Sequence, residues 1–316
     1  MKKDTKPIIE HINGFLEYLD IEKGLSNKSQ ETYGRFLAKF SSWLSANDLK
    51  DLLPHELTEE QIRKYRIFLS QSFSKNTKEP LKRSTQNYYL IALRNLLNYF
   101  TDRDILSLPS EKIKLGKSKI NERAIKFLGL DQIKKLLEAP NTSTSTGLRD
   151  RAILETFFST GLRVAELVSL SRDQIKITPE LKDSEIVVIG KGSRPRPVYF
   201  SERAIKWLRK YLETRKDKDK ALFISYKGPT SQEKRLSPRS MENIVKRYAI
   251  LAGIPTFTSC HTIRHSFATD LLSQGVDLRT IQEFLGHKNI GTTQIYASVT
   301  SKRLRETHRQ FHSLKE

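Results

Sequence analysis

Apolar residues recur over the first hundred positions at three- and four-residue steps, the spacing of one face of an α-helix. Ile8, Ile12, Phe15, Leu16 and Leu19 mark a helix over residues 8–22, which Gly24 ends. Ser26 is a good N-cap for a second helix, whose inner face carries Tyr33, Phe36, Leu37, Phe40, Trp43 and Leu44. Thr58 and Gln61 form a capping box for a third, with Ile62, Tyr65, Leu69 and Phe73 turned inward. A fourth, over residues 84–100, buries Tyr89, Leu90, Leu93, Leu97 and Phe100. Four such helices predict a small all-helical domain.

From residue 101 to 122 the periodicity fades, Pro109 intervenes, and Lys112, Lys114, Lys117 and Lys119 accumulate, the pattern of a basic linker. Residues 131–139 then read as a helix stopped by Pro140, residues 141–147 as a polar loop, and residues 149–159 as a helix ended by Gly161. Leu162, Val164, Leu167 and Leu170 form a short apolar stripe beyond it. Over residues 185–200 the period drops to two, so 186–189 and 198–200 predict a hairpin around Gly190-Lys191-Gly192-Ser193-Arg194-Pro195. Helices follow over 201–214, 237–252, from His261 to Gly275, from Asp277 to Gly286, and from Thr292. The predicted fold class is mainly α with a small antiparallel sheet. Its organisation is a helical domain over residues 1–105, a linker over 106–122 and an α+β domain over 123–316.

Composition adds a partner class. A chain of 316 residues suits two domains. Cys260 is the sole cysteine, which excludes a disulfide framework and a cysteine-based zinc site. Glu10 and His11 interrupt any signal-peptide core, and no run has membrane-spanning length, so a cytoplasmic, nucleoid-associated protein is expected. A net charge of +20 draws polyanions, above all nucleic acid. Lys28, Arg35 and Lys39 share a polar stripe on the second helix, and Arg83, Asn87 and Arg94 one on the fourth. Such stripes suit a DNA groove, with cations for phosphates and amides for base edges; an ordinary solvated face carries the same residue types. Lys117 and Lys119 in the linker, and Arg194 and Arg196 on the hairpin, extend this candidate DNA-binding set.

The candidate chemistry concentrates between Cys260 and Ala297, where His261, Arg264, His265, His287 and Tyr296 fall within one short stretch. Arg163 lies at a helix start just after a glycine turn, which makes it either a phosphate seat or a surface arginine paired with Glu166. Lys191 projects between two glycines without the spacing of a nucleotide-binding loop; it is either a solvated hairpin tip or a chemical group. Tyr33, Tyr65, Tyr89, Tyr211 and Tyr248 fit the apolar faces of helices, whereas Tyr296 follows His287 closely and stands outside a long apolar repeat.

These motifs, in order, resemble those of the tyrosine recombinases, or phage integrase family. They are Arg163 in Thr160-Gly161-Leu162-Arg163-Val164-Ala165-Glu166-Leu167, Lys191 between Gly190 and Gly192, His261 with Arg264 and His265, Leu285-Gly286-His287, and Thr292-Thr293-Gln294-Ile295-Tyr296. Gly24, Leu25, Ser26, Ser29, Tyr33 and Trp43-Leu44 are similar to the core-binding domain of Xer-type members. The resemblance implies a C-shaped clamp on double-stranded DNA carrying a specific recombination site. It implies that Arg163 and Arg264 hold the scissile phosphate, His261 and His287 hydrogen-bond it or assist proton transfer, Lys191 protonates the leaving 5′-oxygen and Tyr296 attacks. Glu166 and His265 match supporting positions.

No metal and no cofactor are expected: with no acidic cluster for Mg²⁺ in view, arginines must neutralise the transition state. A homo- or hetero-tetramer on DNA is expected, with an activating protein left open. The tail over 301–316, with Leu304, Phe311 and Leu314, packs either on its own domain or on a neighbouring protomer. The implied function is Xer-type resolution of chromosome or plasmid dimers; a phage or mobile-element integrase, or a catalytically silent DNA-binding protein, are the alternatives.

Overall fold

Local capping sets the helix boundaries. In the computed structural model, which describes residues 1–74, 78–116, 126–175, 184–189, 195–227 and 234–286, the chain divides into two compact units, Met1–Asn121 and Glu122–Glu316. Among the described residues no helix is long and apolar enough to cross a membrane.

The first unit packs α1 (His11–Ile21), α2 (Asn27–Ser45), α3 (Glu59–Gln71) and α4 (Arg83–Asp102). Phe15, Leu37, Phe40, Tyr65, Leu69, Leu93 and Phe100 form the centre of its core. The Thr58 capping box is present: its hydroxyl accepts the Gln61 N–H at 3.3 Å, and its own N–H donates to Gln61 Oε1 at 2.7 Å. Phe73, expected on the inner face of this helix, is 63% exposed because α3 ends at Gln71. Part of the segment expected to be a linker belongs to this core. Ile113 is fully buried in it, with Leu108 and Leu115 packed alongside. The Asn87 amide fastens that segment, donating to Gly116 O at 2.9 Å and accepting from Gly116 N at 3.0 Å.

In the second unit, α5 (Leu130–Glu138) and α6 (Ser145–Thr160) lead to α7 (Val164–Ser169), then to the antiparallel pair β1 (Ser184–Ile189) and β2 (Pro195–Phe200). The helices α8 (Glu202–Glu213), α9 (Pro238–Leu251), α10 (Cys260–Ser273) and α11 (Leu278–Leu285) follow. The pairing runs from Ser184 opposite Phe200 to Ile189 opposite Pro195, and turns Ile186, Val188, Val198 and Phe200 inward.

The central helix α6 is buried on nearly every side, including Arg149, Asp150, Arg151 and Glu155. These charges are paired: Arg149 and Arg247 hold Asp150, while Arg151 and Arg203 each reach Glu155 at 2.8 Å. Pairing offsets the cost of removing them from water. The helix begins at Ser145, earlier than its apolar spacing predicts, because the Thr144 hydroxyl accepts the Gly147 N–H at 3.0 Å.

Gly161 ends α6 in the left-handed region, at φ +57°, and a Cβ there would lie 2.4 Å from the Phe267 ring. Both strain and overlap oppose any side chain. Gly161→Ala should therefore destabilise the second unit by about 3 kcal/mol in denaturant or thermal unfolding of the full chain. A loss below about 0.5 kcal/mol would show that this turn relaxes freely.

Candidate active site

The site is built where α6, α7, α10 and α11 meet. After the Gly161 turn, Arg163 is the N-cap residue of α7. Glu166, one turn into that helix, accepts the Arg163 backbone N–H at 2.8 Å on Oε2 and its Nη1 at 3.0 Å on Oε1. Arg163 Nη2 donates to Gly286 O at 3.0 Å. Its side chain keeps 32% of its surface exposed. Of the two readings open for Arg163, the pairing with Glu166 is present, and it leaves part of the guanidinium accessible.

The hydroxyl of Ser259 caps α10 by accepting the Thr262 N–H at 3.2 Å. The first turns of that helix point Ile263 and Arg264 into the protein. Arg264 is only 2% exposed; Nη1 donates to Gly161 O at 2.6 Å and Nη2 to Leu285 O at 2.5 Å. His261 lies on the open side of the same turn, and its ring meets that of His265 edge to face at 4.3 Å between centroids.

The end of α11 supplies the common anchor. Gly286 closes it at φ +60°, and the carbonyls of the last residues lack helical partners. Arg196 Nε reaches Phe284 O at 3.3 Å, Arg264 reaches Leu285 O and Arg163 reaches Gly286 O. Three arginines from β2, α10 and the start of α7 thus meet the negative end of one helix, where cations are favoured.

A cavity of 600 Å³ opens beside these groups. Arg163, His261 and Arg264 line it together with Arg239, Asn243 and Lys246, exposed residues of α9. Spaced at four and three residues, the α9 trio forms one helical face. That periodicity could have marked them from sequence, which otherwise gave them no role.

The electrostatics follow from this packing. Burial on its inner side lowers the His261 pKa, and the charges of Arg264 and Arg163 lower it further. His265 is pushed down to about 4 by burial, with His261 and Arg264 adding to it, so it is neutral near pH 7. Burial alone would raise the Glu166 pKa, but the Arg163 N–H and the Arg196 cation outweigh it, and the carboxylate is held below its ordinary range. Burial pushes the Cys260 thiol up to about 12, which keeps it protonated and unreactive. Among the described residues no group of three or more His, Cys, Asp or Glu side chains could hold a metal ion.

The structure brings Arg163, Glu166, His261, Arg264 and His265 together; Lys191, Arg194, His287 and Tyr296 lie outside the described residues, as do Lys117 and Lys119. Two residues expected to read DNA do otherwise. Arg196 is 8% exposed and donates to Glu166 Oε2 at 2.9 Å, because alternation along β2 turns it inward with Val198 and Phe200. Asn87 has its amide engaged by Gly116 at both ends, and so has little left for a base edge. Lys28, Arg35 and Arg83 are exposed, whereas Lys39 is half-buried with its ammonium over the Phe68 and Tyr89 rings, and Arg94 is half-buried.

The chain is similar to known proteins over nearly its whole length. Residues 126–303 match the phage integrase family, and residues 12–104 match the phage integrase N-terminal SAM-like domain. Tyrosine recombinase XerC of Pelotomaculum thermopropionicum is 33% identical, over 96% of this chain and 97% of its own length. Tyrosine recombinase XerD of Listeria monocytogenes serotype 4b is 36% identical, over 95% and 98%. In fold, the chain is similar to the XerH site-specific recombinase bound to palindromic difH substrate in a post-cleavage complex, with TM-score 0.76, 22% identity and 97% of each chain covered. It is also similar to the Tn1549 transposon integrase in complex with transposon right end DNA, with TM-score 0.68, 15% identity and coverage of 94% and 99%. The chain belongs to the phage integrase family, as a tyrosine recombinase of the Xer type.

Proposed function

We propose that this chain cuts and rejoins double-stranded DNA at a specific recombination site through a 3′-phosphotyrosyl intermediate, in the resolution of chromosome or plasmid dimers. The observation that carries the reading is the convergence of Arg163, Arg264 and His261, from distant parts of the sequence, on one cavity. A phosphodiester carries one negative charge and its pentavalent transition state approaches two, so preorganised cations stabilise the transition state more than the ground state. Guanidinium groups suit that task because they stay charged and match phosphate oxygens in bidentate fashion.

In this mechanism the phenol oxygen of Tyr296 attacks the scissile phosphorus and the 5′-oxygen leaves. An ordinary phenol with pKa near 10 is only about one part in a thousand ionised at pH 7. Neighbouring cations and a neutral imidazole that accepts its proton offset that deficit. His261, with its lowered pKa, is neutral and able to accept; His287 is the second imidazole. Lys191 gives a proton to the leaving 5′-oxygen. The phosphotyrosyl ester conserves the energy of the broken bond, so a 5′-hydroxyl from another strand reseals the DNA without a nucleotide cofactor. Lys28, Arg35 and Arg83, exposed on the helical unit, contact the DNA backbone. Recombination takes place in a tetramer, in which the tail over 301–316 packs on a neighbouring protomer.

On nicked suicide substrates made from DNA of the same genome, the wild-type protein should become covalently attached through a 3′-phosphate. Tyr296→Phe should bind the same DNA and form no adduct, and an adduct in that variant would remove Tyr296 as the nucleophile. Affinity should fall by roughly 10³-fold or more between 50 and 200 mM salt, as for any protein neutralising many phosphates; a flat response would contradict extensive backbone contact.

Acid affects the site through His261. Because its pKa is lowered, the neutral form persists below the ordinary histidine value of about 6.5 and is lost only as pH falls further. Adduct formation should therefore hold steady on descending through about pH 6.5 and drop only at lower pH. His261→Gln should lack that acid limb; an unchanged limb would assign it to another group.

A further inference from the structure

Arg196 is a cation placed among apolar neighbours. On the inward face of β2 it follows the alternation that also buries Val198 and Phe200, and its side chain is 9% exposed. It lies too deep to lie against a DNA backbone. Nη2 holds Glu166 Oε2 at 2.9 Å, Nε holds Phe284 O at 3.3 Å, and Nη1 is buried with no hydrogen-bond partner among the described residues. Its Cδ rests against Gly286, where a Cβ would come within 2.7 Å. A guanidinium held at such desolvation draws its purpose from the carboxylate it holds.

That partner is shared. Glu166 accepts from Arg163 through both carboxylate oxygens and from Arg196 through one of them. With Arg163 alone, the pair would be neutral, and the exposed part of Arg163 would face an incoming anion with its charge already compensated. With Arg196 behind the carboxylate, the trio carries a net charge of +1, and the excess lies toward the cavity, where Arg163 is accessible.

We infer that Arg196 is a positioning residue for strand cleavage, which neutralises Glu166 from the interior side so that Arg163 meets the scissile phosphate with its charge uncompensated. The inference rests on the assignment of Arg163 to that phosphate. It makes Glu166 a tether that orients Arg163, and Arg196 the group that prevents the tether from cancelling Arg163's charge. The same guanidinium ties the hairpin of β1 and β2, between whose strands Lys191 lies in sequence, to the α11 end that runs into His287.

The test is single-turnover adduct formation on a suicide substrate with full-length protein, alongside DNA affinity at several salt concentrations. Arg196→Gln should slow cleavage by about 30-fold with affinity and its salt slope unchanged, the signature of an interaction made in the transition state. The double variant Glu166→Gln with Arg196→Gln removes both charges, and should cleave about fivefold or more faster than Arg196→Gln alone. Arg196→Lys, which keeps the charge without the fork, should stay within about fivefold of wild type. A merely structural arginine would act through stability: its loss leaves the buried Glu166 carboxylate with one partner fewer, and removing both relieves part of that cost. The cleavage defect and its rescue would then track each variant's unfolding free energy, whereas the inference predicts them at matched stability.

A double variant no faster than Arg196→Gln, or a lysine variant as slow as the glutamine one, would overturn the inference. A shallower salt slope in Arg196→Gln would also overturn it, by showing a phosphate contact. Should Arg196→Gln fail to fold, the comparison of Arg196→Lys with wild type decides. If the wild-type protein forms no adduct, the recombinase reading itself falls; if wild type cleaves and the pair shows no rescue, only the role of Arg196 does.

Discussion

The end of α11 exposes carbonyls that the helix itself cannot satisfy, and arginines from three separate elements take Phe284 O, Leu285 O and Gly286 O in turn. The rest of the site depends on this. Arg264 bridges Leu285 O to Gly161 O, so the turn that launches α7 and the end of α11 are held by one buried guanidinium. Arg163 is then fixed from two sides, by Glu166 and by Gly286. Such anchoring removes most of the side-chain freedom that a phosphate would otherwise have to freeze out, which is the sense in which a site is preorganised. Lysine could not substitute for Arg163 or Arg264, because a guanidinium offers five N–H donors in a plane and can hold a carbonyl on one edge while presenting donors on another.

The charge pattern of the second unit has the same logic at larger scale. Among the described residues, buried arginines are matched to carboxylates: Arg149 on Asp150, Arg151 on Glu155 and Arg215 on Asp217, with the exposed Arg247 and Arg203 adding to Asp150 and Glu155. These pairs specify which helices meet and leave little net charge inside. The cations around the cavity are different, since Arg239 and Lys246 are exposed and Arg163 partly so, and they add to a chain whose net charge is already +20.

Much of this could be read from the chain alone, for physical reasons that differ by residue. The amphipathic helices of the first unit announce themselves because one face is buried and the other is not, as at Phe40 and Tyr65. The Arg163 and Glu166 pairing follows from a three-residue step at a helix start. What escaped is instructive. α6 is buried on nearly all sides, so its apolar period is weak and its ions look like surface ions. Arg196 counted as a DNA-facing cation although the alternation of β2 places it beside Val198 and Phe200. Asn87 sat on a polar stripe, but its amide closes on Gly116, 29 residues away in sequence, a contact no local pattern reveals. Local periodicity reports which way a side chain points; it does not report what it meets there.

The central claim is that Arg163 acts on the scissile phosphate through its charge, and the most direct measurement replaces that charge on the DNA. A substrate with a neutral methylphosphonate at the cleavage position lacks the negative charge the arginine is there to balance. Arg163→Ala should cleave the ordinary phosphodiester slower than wild type by roughly 10³-fold, the scale for losing one preorganised donor, and this deficit should shrink to about tenfold or less on the methylphosphonate. An equal deficit on both substrates would contradict the account and leave Arg163 as a residue that merely holds the fold.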